Sequence, residues 1–295
     1  METIEGARNV VKIDEGSVTK IGVGFEPARP FRLGIEVHAL KTALESGLSV
    51  PKVYEYGRND LGQEYIVMER IRGNNVSEVD LKTPLDVIYN LVGKEMAKMP
   101  SDLTSFGWLD PKTLKGESSS WSDFISQHIT KYATRLGNNG ELDKDMVAKI
   151  IQLVEKNTPN IQAASMIHRD LKPLNLMVNN EKVTILDWEN VLLGDPLYDL
   201  GVLVSRFPDD ERLIKGFMIG LIDNVLDKDQ NRTVSVYSLV NLVGGLCFYR
   251  GKAPRAYYNR VAETVRALES KKVKSTLSSR TIKTPNPLPS YTSRD

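Results

Sequence analysis

The sequence predicts an α+β protein with two lobes, a small β-rich N-terminal lobe followed by a mainly helical C-terminal lobe. Short β-branched runs separated by turn residues fill residues 1–71, whereas apolar residues at helical spacing fill most of residues 72–270. The chain has 295 residues, which is long enough for two lobes that each bury a core. Its 41% apolar and 26% charged residues are typical of a globular protein.

One helix among several strands makes up the predicted N-terminal lobe. Asp14-Glu15-Gly16 is a hairpin signal between two β-branched runs. The helix has apolar residues at helical spacing and ends at Gly47, and Pro51 prevents it from resuming. The predicted elements are strands at Thr3–Glu5, Val10–Ile13 and Val18–Ile21, a helix over Leu33–Glu45, and strands at Lys52–Tyr56 and Glu64–Ile71.

Helices dominate the predicted C-terminal lobe. They cover Pro84–Met99, Trp121–Leu136, Asp143–Glu155 and several segments between Leu197 and about Ser270. The predicted apolar face of the first of these helices consists of Val87, Leu91, Met96 and Met99. A compact non-helical block over Met166–Asp187 interrupts the helices, with Val183–Leu186 as its clearest strand.

The charge and the cysteine content restrict the expected partners and compartment. The net charge is +1, so composition gives no reason to expect a nucleic acid or a membrane surface as partner. One cysteine, Cys247, excludes an intrachain disulfide, and the N-terminus lacks a signal-peptide pattern, so we expect a cytoplasmic protein. Residues 271–295 hold six Lys or Arg, one acid, three prolines and nine Ser or Thr, which predicts a disordered basic tail.

The block His168–Asn175 carries the predicted chemistry, together with Asp187 at the end of the next predicted strand. Phosphoryl transfer needs a carboxylate that orients the attacking hydroxyl, hard oxygen ligands for Mg²⁺, and a cation near the transferred group. Asp170 is the candidate base and Lys172 the candidate cation, while Asn175 and Asp187 are the candidate metal ligands. The complete H-R-D-L-K-x-x-N string followed by this aspartate is much rarer than its parts, which favours a kinase catalytic signature.

Two further motifs follow this block, Asp187-Trp188-Glu189 and Gly194-Asp195-Pro196-Leu197-Tyr198-Asp199-Leu200. With the catalytic string they resemble the aminoglycoside phosphotransferase and choline kinase family of the protein-kinase-like superfamily. The resemblance implies a two-lobed protein-kinase-like fold that binds ATP and Mg²⁺ between its lobes and phosphorylates a hydroxyl of a small molecule. It also implies that His168 is a scaffold residue and that Asp199 supports the catalytic loop by hydrogen bonds. From the sequence alone, Asp199 is equally a helix cap or a first-turn acid.

The resemblance extends to the phosphate-binding part of the N-terminal lobe. It implies an ion pair between Lys20, which would contact the α- and β-phosphates, and Glu36 on the following helix. Lys12 is the competing lysine, and Lys20 is preferred because the helix that carries Glu36 follows it directly. The loop over Gly6–Asn9 would be the phosphate loop, which makes Asn9 a candidate nucleotide-binding residue.

Residues 65–73 resemble the hinge between the lobes of the same family. Backbone groups of Glu69 and Ile71 would then hydrogen-bond the adenine of the nucleotide. Met68 is either a wall of the adenine site or simply a core residue.

Two other functions remain open at this point. Arg169 and Lys172 are typical of protein Ser/Thr kinases, but Asp195 comes only eight residues after Asp187, which leaves no room for an activation segment. A nucleotide-binding module without catalysis is the second alternative, although every residue that the chemistry needs is present. GTP could replace ATP, and an aminoglycoside, a macrolide, an amino alcohol, a sugar and an amino acid are all open as acceptors.

Overall fold

A computed structural model of the chain describes residues 2–6, 9–23, 32–77, 83–179, 182–249 and 251–270. The predicted basic tail over 271–295 and two residues of the predicted phosphate loop, Ala7 and Arg8, lie outside the described residues. The described residues form a two-lobed α+β structure, which confirms the predicted fold class. Among them, no helix combines the length and the apolar character that a membrane span requires.

An antiparallel sheet and one helix form the described part of the N-terminal lobe. The elements are β1 (Glu2–Glu5), β2 (Asn9–Ile13), β3 (Ser17–Gly22), α1 (Arg32–Glu45), β4 (Val53–Arg58) and β5 (Glu64–Glu69). The strand order is β1-β2-β3-β5-β4, and α1 packs on the sheet through Leu33 and Val37, which join Ile66 and Met68 in a small core. Every predicted element is present, although β5 ends at Glu69 rather than two residues later.

Helix α1 ends where the sequence predicts, at Gly47. The backbone of Gly47 has φ of +79°, a conformation that glycine adopts without strain. The amide of Leu48 then donates to the carbonyl of Ala43 at 2.9 Å, as in a Schellman motif. This end leaves the buried side chains of Leu40 and Ala43 in the main core, so α1 is packed against both lobes.

The described part of the C-terminal lobe combines seven α-helices with several short strands. They are β6 (Asn74–Asn75), α2 (Leu85–Met96), β7 (Phe106–Leu109), β8 (Gly116–Ser118), α3 (Trp121–Asn138), α4 (Lys144–Asn157), β9 (Ser165–Ile167), β10 (Leu176–Asn179), β11 (Lys182–Ile185), β12 (Leu192–Gly194), α5 (Leu197–Arg206), α6 (Glu211–Ile222), α7 (Lys228–Tyr249) and α8 (Arg255–Glu269). The strands form two antiparallel sheets of described residues, β11-β10-β6 and β8-β7-β12-β9. Strands of two to four residues are too short for a period-2 pattern, so the sequence predicted only β11 clearly.

The predicted apolar face of α2 is wrong in part. Val87 is 45% exposed, whereas the neighbouring Ile88 and Tyr89 are fully buried. Met96 is buried as predicted. The buried face differs from the predicted one because one side of α2 packs against α6. On its other side, the Tyr89 hydroxyl donates to the carbonyl of Leu171 in the catalytic block at 2.9 Å.

Glycines allow α2 and α6 to approach each other closely. A Cβ atom at Gly216 would lie 2.2 Å from the carbonyl oxygen of Asp86, and one at Gly220 would lie 2.0 Å from that of Asn90. Neither position can hold a larger residue without moving a backbone. Because α2 also contacts the catalytic block through Tyr89, this close contact holds α6 behind that block.

Candidate active site

The backbone of the catalytic block is held by two buried side chains. The carboxylate of Asp199, in the first turn of α5, accepts the amides of His168 and Arg169 at 3.0 and 2.6 Å. The His168 ring accepts the amide of Asp170 at Nδ1, at 3.1 Å, so its Nε2 donates to the carbonyl of Leu186 at 2.9 Å. Burial raises the pKa of Asp199, and the two amides oppose that shift. Both side chains therefore bind backbone and are positioned to hold the loop.

The carboxylate of Asp170 lies at the centre of a polar cluster. Its Oδ2 accepts the Asn175 amide nitrogen at 3.0 Å and pairs with Lys172 Nζ at 3.0 Å, and its Oδ1 pairs with Arg206 Nη1. Asn175 also donates to the Asp170 carbonyl at 2.8 Å. Burial opposes the ionisation of Asp170, but the Arg206 and Lys172 cations outweigh it and hold the pKa of Asp170 well below its usual value. The carboxylate is thus ionised and fixed in place.

Lys20 contacts three carboxylates, one in its own lobe and two in the C-terminal lobe. Its Nζ lies 2.8 Å from Glu36, 2.7 Å from Asp187 and 3.1 Å from Glu189. Burial lowers the pKa of Lys20, but the three carboxylates outweigh it and raise that pKa above its usual value. Burial raises the pKa of Glu36 to about 7 although Lys20 opposes this shift. Asn9 Nδ2 adds a third contact between the lobes, to Glu189 at 2.9 Å.

The end of β5 places the predicted adenine-binding residues beside this cluster. The amide of Glu69 already donates to the carbonyl of Lys52 at 2.8 Å, so Glu69 could offer an adenine only its carbonyl. Ile71 follows two residues later, beyond the end of the strand. Met68 belongs to the small core and also lines the cleft, so its two interpretations are compatible.

One cleft with a volume of about 2300 Å³ collects most of the predicted site residues. Those that line it are Asn9, Lys20, Glu36, Glu69, Ile71, Asp170, Lys172 and Asp187. The remaining three, His168, Asn175 and Asp199, are buried and contact the lining residues from behind.

The donor atoms in the cleft fit a magnesium ion. Carboxylate oxygens of Glu36, Asp187 and Glu189 lie within 4.8 Å of one another, and hard oxygen ligands are those that Mg²⁺ prefers. Asp187 follows the end of β11 with φ of +62°, which turns the chain so that its carboxylate reaches Lys20.

Sequence comparison decides the family. A model of the phosphotransferase enzyme family matches residues 10–231, about three quarters of the chain. The chain belongs to the phosphotransferase enzyme family. The matched range contains every predicted site residue except Asn9.

The fold of this phosphotransferase is similar to solved kinase structures. A thermostable mutant of aminoglycoside phosphotransferase APH(4)-Ia is 15% identical with a TM-score of 0.68, over 95% of this chain and 96% of that chain. A putative fructosamine-3-kinase from Haemophilus somnus 129PT is 17% identical with a TM-score of 0.64, over 90% of each chain. A choline/ethanolamine kinase family protein from Mesorhizobium loti is 18% identical with a TM-score of 0.60, over 93% and 91%. No curated protein sequence matches the chain.

Two charged residues of the phosphotransferase cleft pair with predicted site residues but had no predicted role. Glu189 contacts Lys20 and Asn9, and its position two residues after Asp187 in the D-W-E motif was a usable signal. Arg206 pairs with Asp170 from 36 residues away, and no local motif marks it. Only the folding of α5 back onto the catalytic block brings this arginine to the site.

Proposed function

We propose that this phosphotransferase moves the γ-phosphate of ATP to a hydroxyl group of a small molecule. The observation that carries the proposal is the position of the Asp170 carboxylate, which lines the same cleft as the Lys20 cluster and is held by Asn175, Lys172 and Arg206. A structure of the thermostable aminoglycoside phosphotransferase named above is a ternary complex with ADP and hygromycin B. A protein with a similar fold thus binds a nucleotide and a small molecule in one complex.

Each polar group has a place in the proposed transfer. Asp170 orients the acceptor hydroxyl and takes up its proton, and Lys172 offsets negative charge on the transferred phosphoryl group. Lys20 binds the nucleotide phosphates, while the Glu69 carbonyl and the Ile71 amide bind the adenine. Asp199 and His168 hold the loop, so that Asp170 does not reorganise during the reaction.

Mg²⁺ fits the proposed site and would offset the charge of the nucleotide phosphates. Asp187 would hold it together with the amide oxygen of Asn175, and Glu189 is close enough to contribute a third oxygen. Lys20 lies among the same carboxylates and would shift towards the phosphates when nucleotide binds. Glu36, which is buried and bonded to Lys20, keeps that ammonium in the cleft.

A small-molecule acceptor is favoured over a protein acceptor by the chain after Asp187. Within eight residues, β12 pairs with β7 and β9, and Asp195 then accepts hydrogen bonds from Tyr237 at 2.8 Å and from the Leu197 amide at 2.9 Å. This short connection is thus mostly in the sheet or buried, and it is too short to form an activation segment. The single cysteine agrees with a reducing compartment such as the cytoplasm.

The test combines nucleotide titration with acceptor-dependent ADP or GDP formation. We expect ATP to bind in a Mg²⁺-dependent manner, and a screen of hydroxylated metabolites and antibiotics to find an acceptor that stimulates turnover. Asp187→Ala should abolish the Mg²⁺ dependence and the turnover, whereas Asp60→Ala, in the exposed turn between β4 and β5, should change neither. Near-parental turnover of Asp187→Ala would refute the metal assignment. Nucleotide binding without turnover for any acceptor would favour the non-catalytic alternative.

A further inference from the structure

The half of the cleft next to α5 and the end of α7 carries net positive charge. We call this the acceptor half. Arg169, Lys172 and Arg206 line it, and Asp170 is its one carboxylate among the described lining residues. The other described carboxylates of the cleft belong to the Lys20 cluster or to the end of β5, and they are Glu36, Glu69, Asp187 and Glu189.

The acidic residues just behind the acceptor half are already engaged. Asp199 accepts the amides of the catalytic block, and Asp195 accepts the Tyr237 hydroxyl. Both are almost completely buried, at 2% and 6% exposure. Among the described residues, the acceptor half therefore offers a polycationic acceptor no carboxylate except the proposed base itself.

Arg206 is the cation best placed to bind an acceptor. It is the last residue of α5, and a third of its side chain remains exposed in the cleft. The hydrogen bond found for its guanidinium among the described residues uses Nη1 and goes to Asp170 Oδ1. A guanidinium has five N–H donors in a planar fork that matches a carboxylate or a phosphate. Arg206 can thus hold an anionic group while it still contacts Asp170.

An exposed aromatic surface lies in the same half of the cleft. Phe248, near the end of α7, is 73% exposed although it is large and apolar. Tyr249 packs against it with ring centroids 6.0 Å apart, and Tyr257 packs against Tyr249 at 5.2 Å. These three rings line the cleft and give it an apolar surface.

We propose that the acceptor is a hydroxylated small molecule that carries a carboxylate or phosphate group and an apolar part. The anionic group pairs with Arg206, the apolar part contacts Phe248, and the hydroxyl lies at Asp170. The inference rests on the proposed function, because it names the acceptor class for the same transfer. It excludes polycationic acceptors such as aminoglycosides, since Arg169, Lys172 and Arg206 would repel them.

Four probes of one shape test the charge preference. They are 4-(hydroxymethyl)benzoate, 4-(hydroxymethyl)phenyl phosphate, the neutral 4-(hydroxymethyl)benzamide and the cationic 4-(hydroxymethyl)benzylamine. The Kd of each probe is measured by ligand-observed NMR without nucleotide, for the full chain and two variants. Arg206→Gln removes the charge in the cleft, and Arg212→Gln makes the same change at an exposed position on α6 that does not line the cleft.

We expect at least one anionic probe to bind about tenfold tighter than the amide, and the amine to bind weakest. The tighter of the two anionic probes identifies the preferred anion. Arg206→Gln should remove this preference, and Arg212→Gln should keep it. Equal binding of all four probes, tighter binding of the amine, no binding of either anion, or an unchanged order in Arg206→Gln would each overturn the inference.

Turnover assays separate this inference from the proposed function. The four probes, kanamycin and choline are each tested as acceptors for ATP-dependent ADP formation. Turnover with cationic acceptors alone would leave the phosphotransferase function standing and overturn the anionic acceptor. Absence of both nucleotide binding and turnover would refute the proposed function, while the order of the probe Kd values would still decide the charge preference.

Discussion

The replacement Lys20→Met gives the sharpest test of the role assigned to the Lys20 ammonium. It removes the ammonium but keeps an unbranched side chain of similar length. Three carboxylates that lie within 3.1 Å of this ammonium then surround an uncharged group. The variant should therefore lose stability as well as nucleotide binding, and the two losses can be measured separately.

The expected loss of stability follows from the burial of each partner. Removal of one member of a buried ion pair typically costs about 3–5 kcal/mol, because the other charge stays buried. The side chains of Glu36 and Glu189 are 2% and 8% exposed, but that of Asp187 is 31% exposed and remains partly hydrated. We therefore expect the lower end, about 3 kcal/mol, which corresponds to a fall in Tm of roughly 6–12 °C for a domain of this size.

A second substitution separates stability from function. Glu36→Gln removes one of the carboxylates that lose the Lys20 ammonium, so Lys20→Met/Glu36→Gln should be more stable than Lys20→Met alone by about 1 kcal/mol or more. Its turnover should stay low, because neither variant has a cation for the nucleotide phosphates. The matched control is Lys12→Met. Lys12 pairs with Thr19 in the sheet, so its side chain lies on the face opposite Lys20, and the change should alter neither Tm nor turnover.

Thermal unfolding by circular dichroism, nucleotide titration and ADP formation are measured on all four proteins. If Lys12→Met lowers Tm and turnover as much as Lys20→Met, the role assigned to Lys20 is wrong. A double variant that is less stable than Lys20→Met, or one that regains turnover along with stability, would also contradict this role.

Three further predictions concern other parts of the molecule. Asp170→Asn should slow single-turnover transfer by roughly 10²–10⁴-fold with little change in nucleotide Kd, and unchanged transfer would exclude a catalytic role. Gly216→Ala should destabilise the fold by about 1–3 kcal/mol, because its Cβ would clash with the Asp86 carbonyl. Gly16→Ala, with open space around it, should not destabilise the fold. Similar Tm values for the two variants would contradict the close contact between α2 and α6. Burial raises the pKa of Cys247, so its thiolate fraction at pH 8 should be below that of an ordinary thiol. Its reaction with a disulfide reagent should accelerate on unfolding, and fast labelling of the folded protein would contradict this.

Local signals in the sequence predicted much of the fold. The end of α1 depends on Gly47 and its neighbours alone, so the glycine marked it correctly. The buried face of α2 was predicted less well, since Val87 and Ile88 are both apolar and only the contacts with α6 and Leu171 decide which one is buried. Such a choice depends on residues far away in the chain, which a periodic pattern does not contain.

In the candidate site too, contacts between residues that are close in sequence were predicted, and contacts between distant residues were not. The residues within the catalytic block are close in sequence, and their spacing alone indicated that they act together. Arg206 was missed because its contact with Asp170 exists only after α5 has packed on the catalytic block. The D-W-E motif contains Glu189, but it did not indicate that this residue would contact Lys20 and Asn9 of the other lobe.

Helix α5 explains how the missed arginine is tied to the predicted motif. Asp199 in its first turn holds the backbone of the catalytic block, and Arg206 in its last turn contacts the Asp170 carboxylate. Their separation of seven residues is about two helical turns, which places both side chains on one face and about 10 Å apart along the axis. The same rigid helix thus fixes where the base lies and where an acceptor anion would pair. A change that tilts α5 should therefore alter loop geometry and acceptor preference together, whereas a change at Arg206 alone should alter the preference and the contact with Asp170 but leave the loop backbone in place.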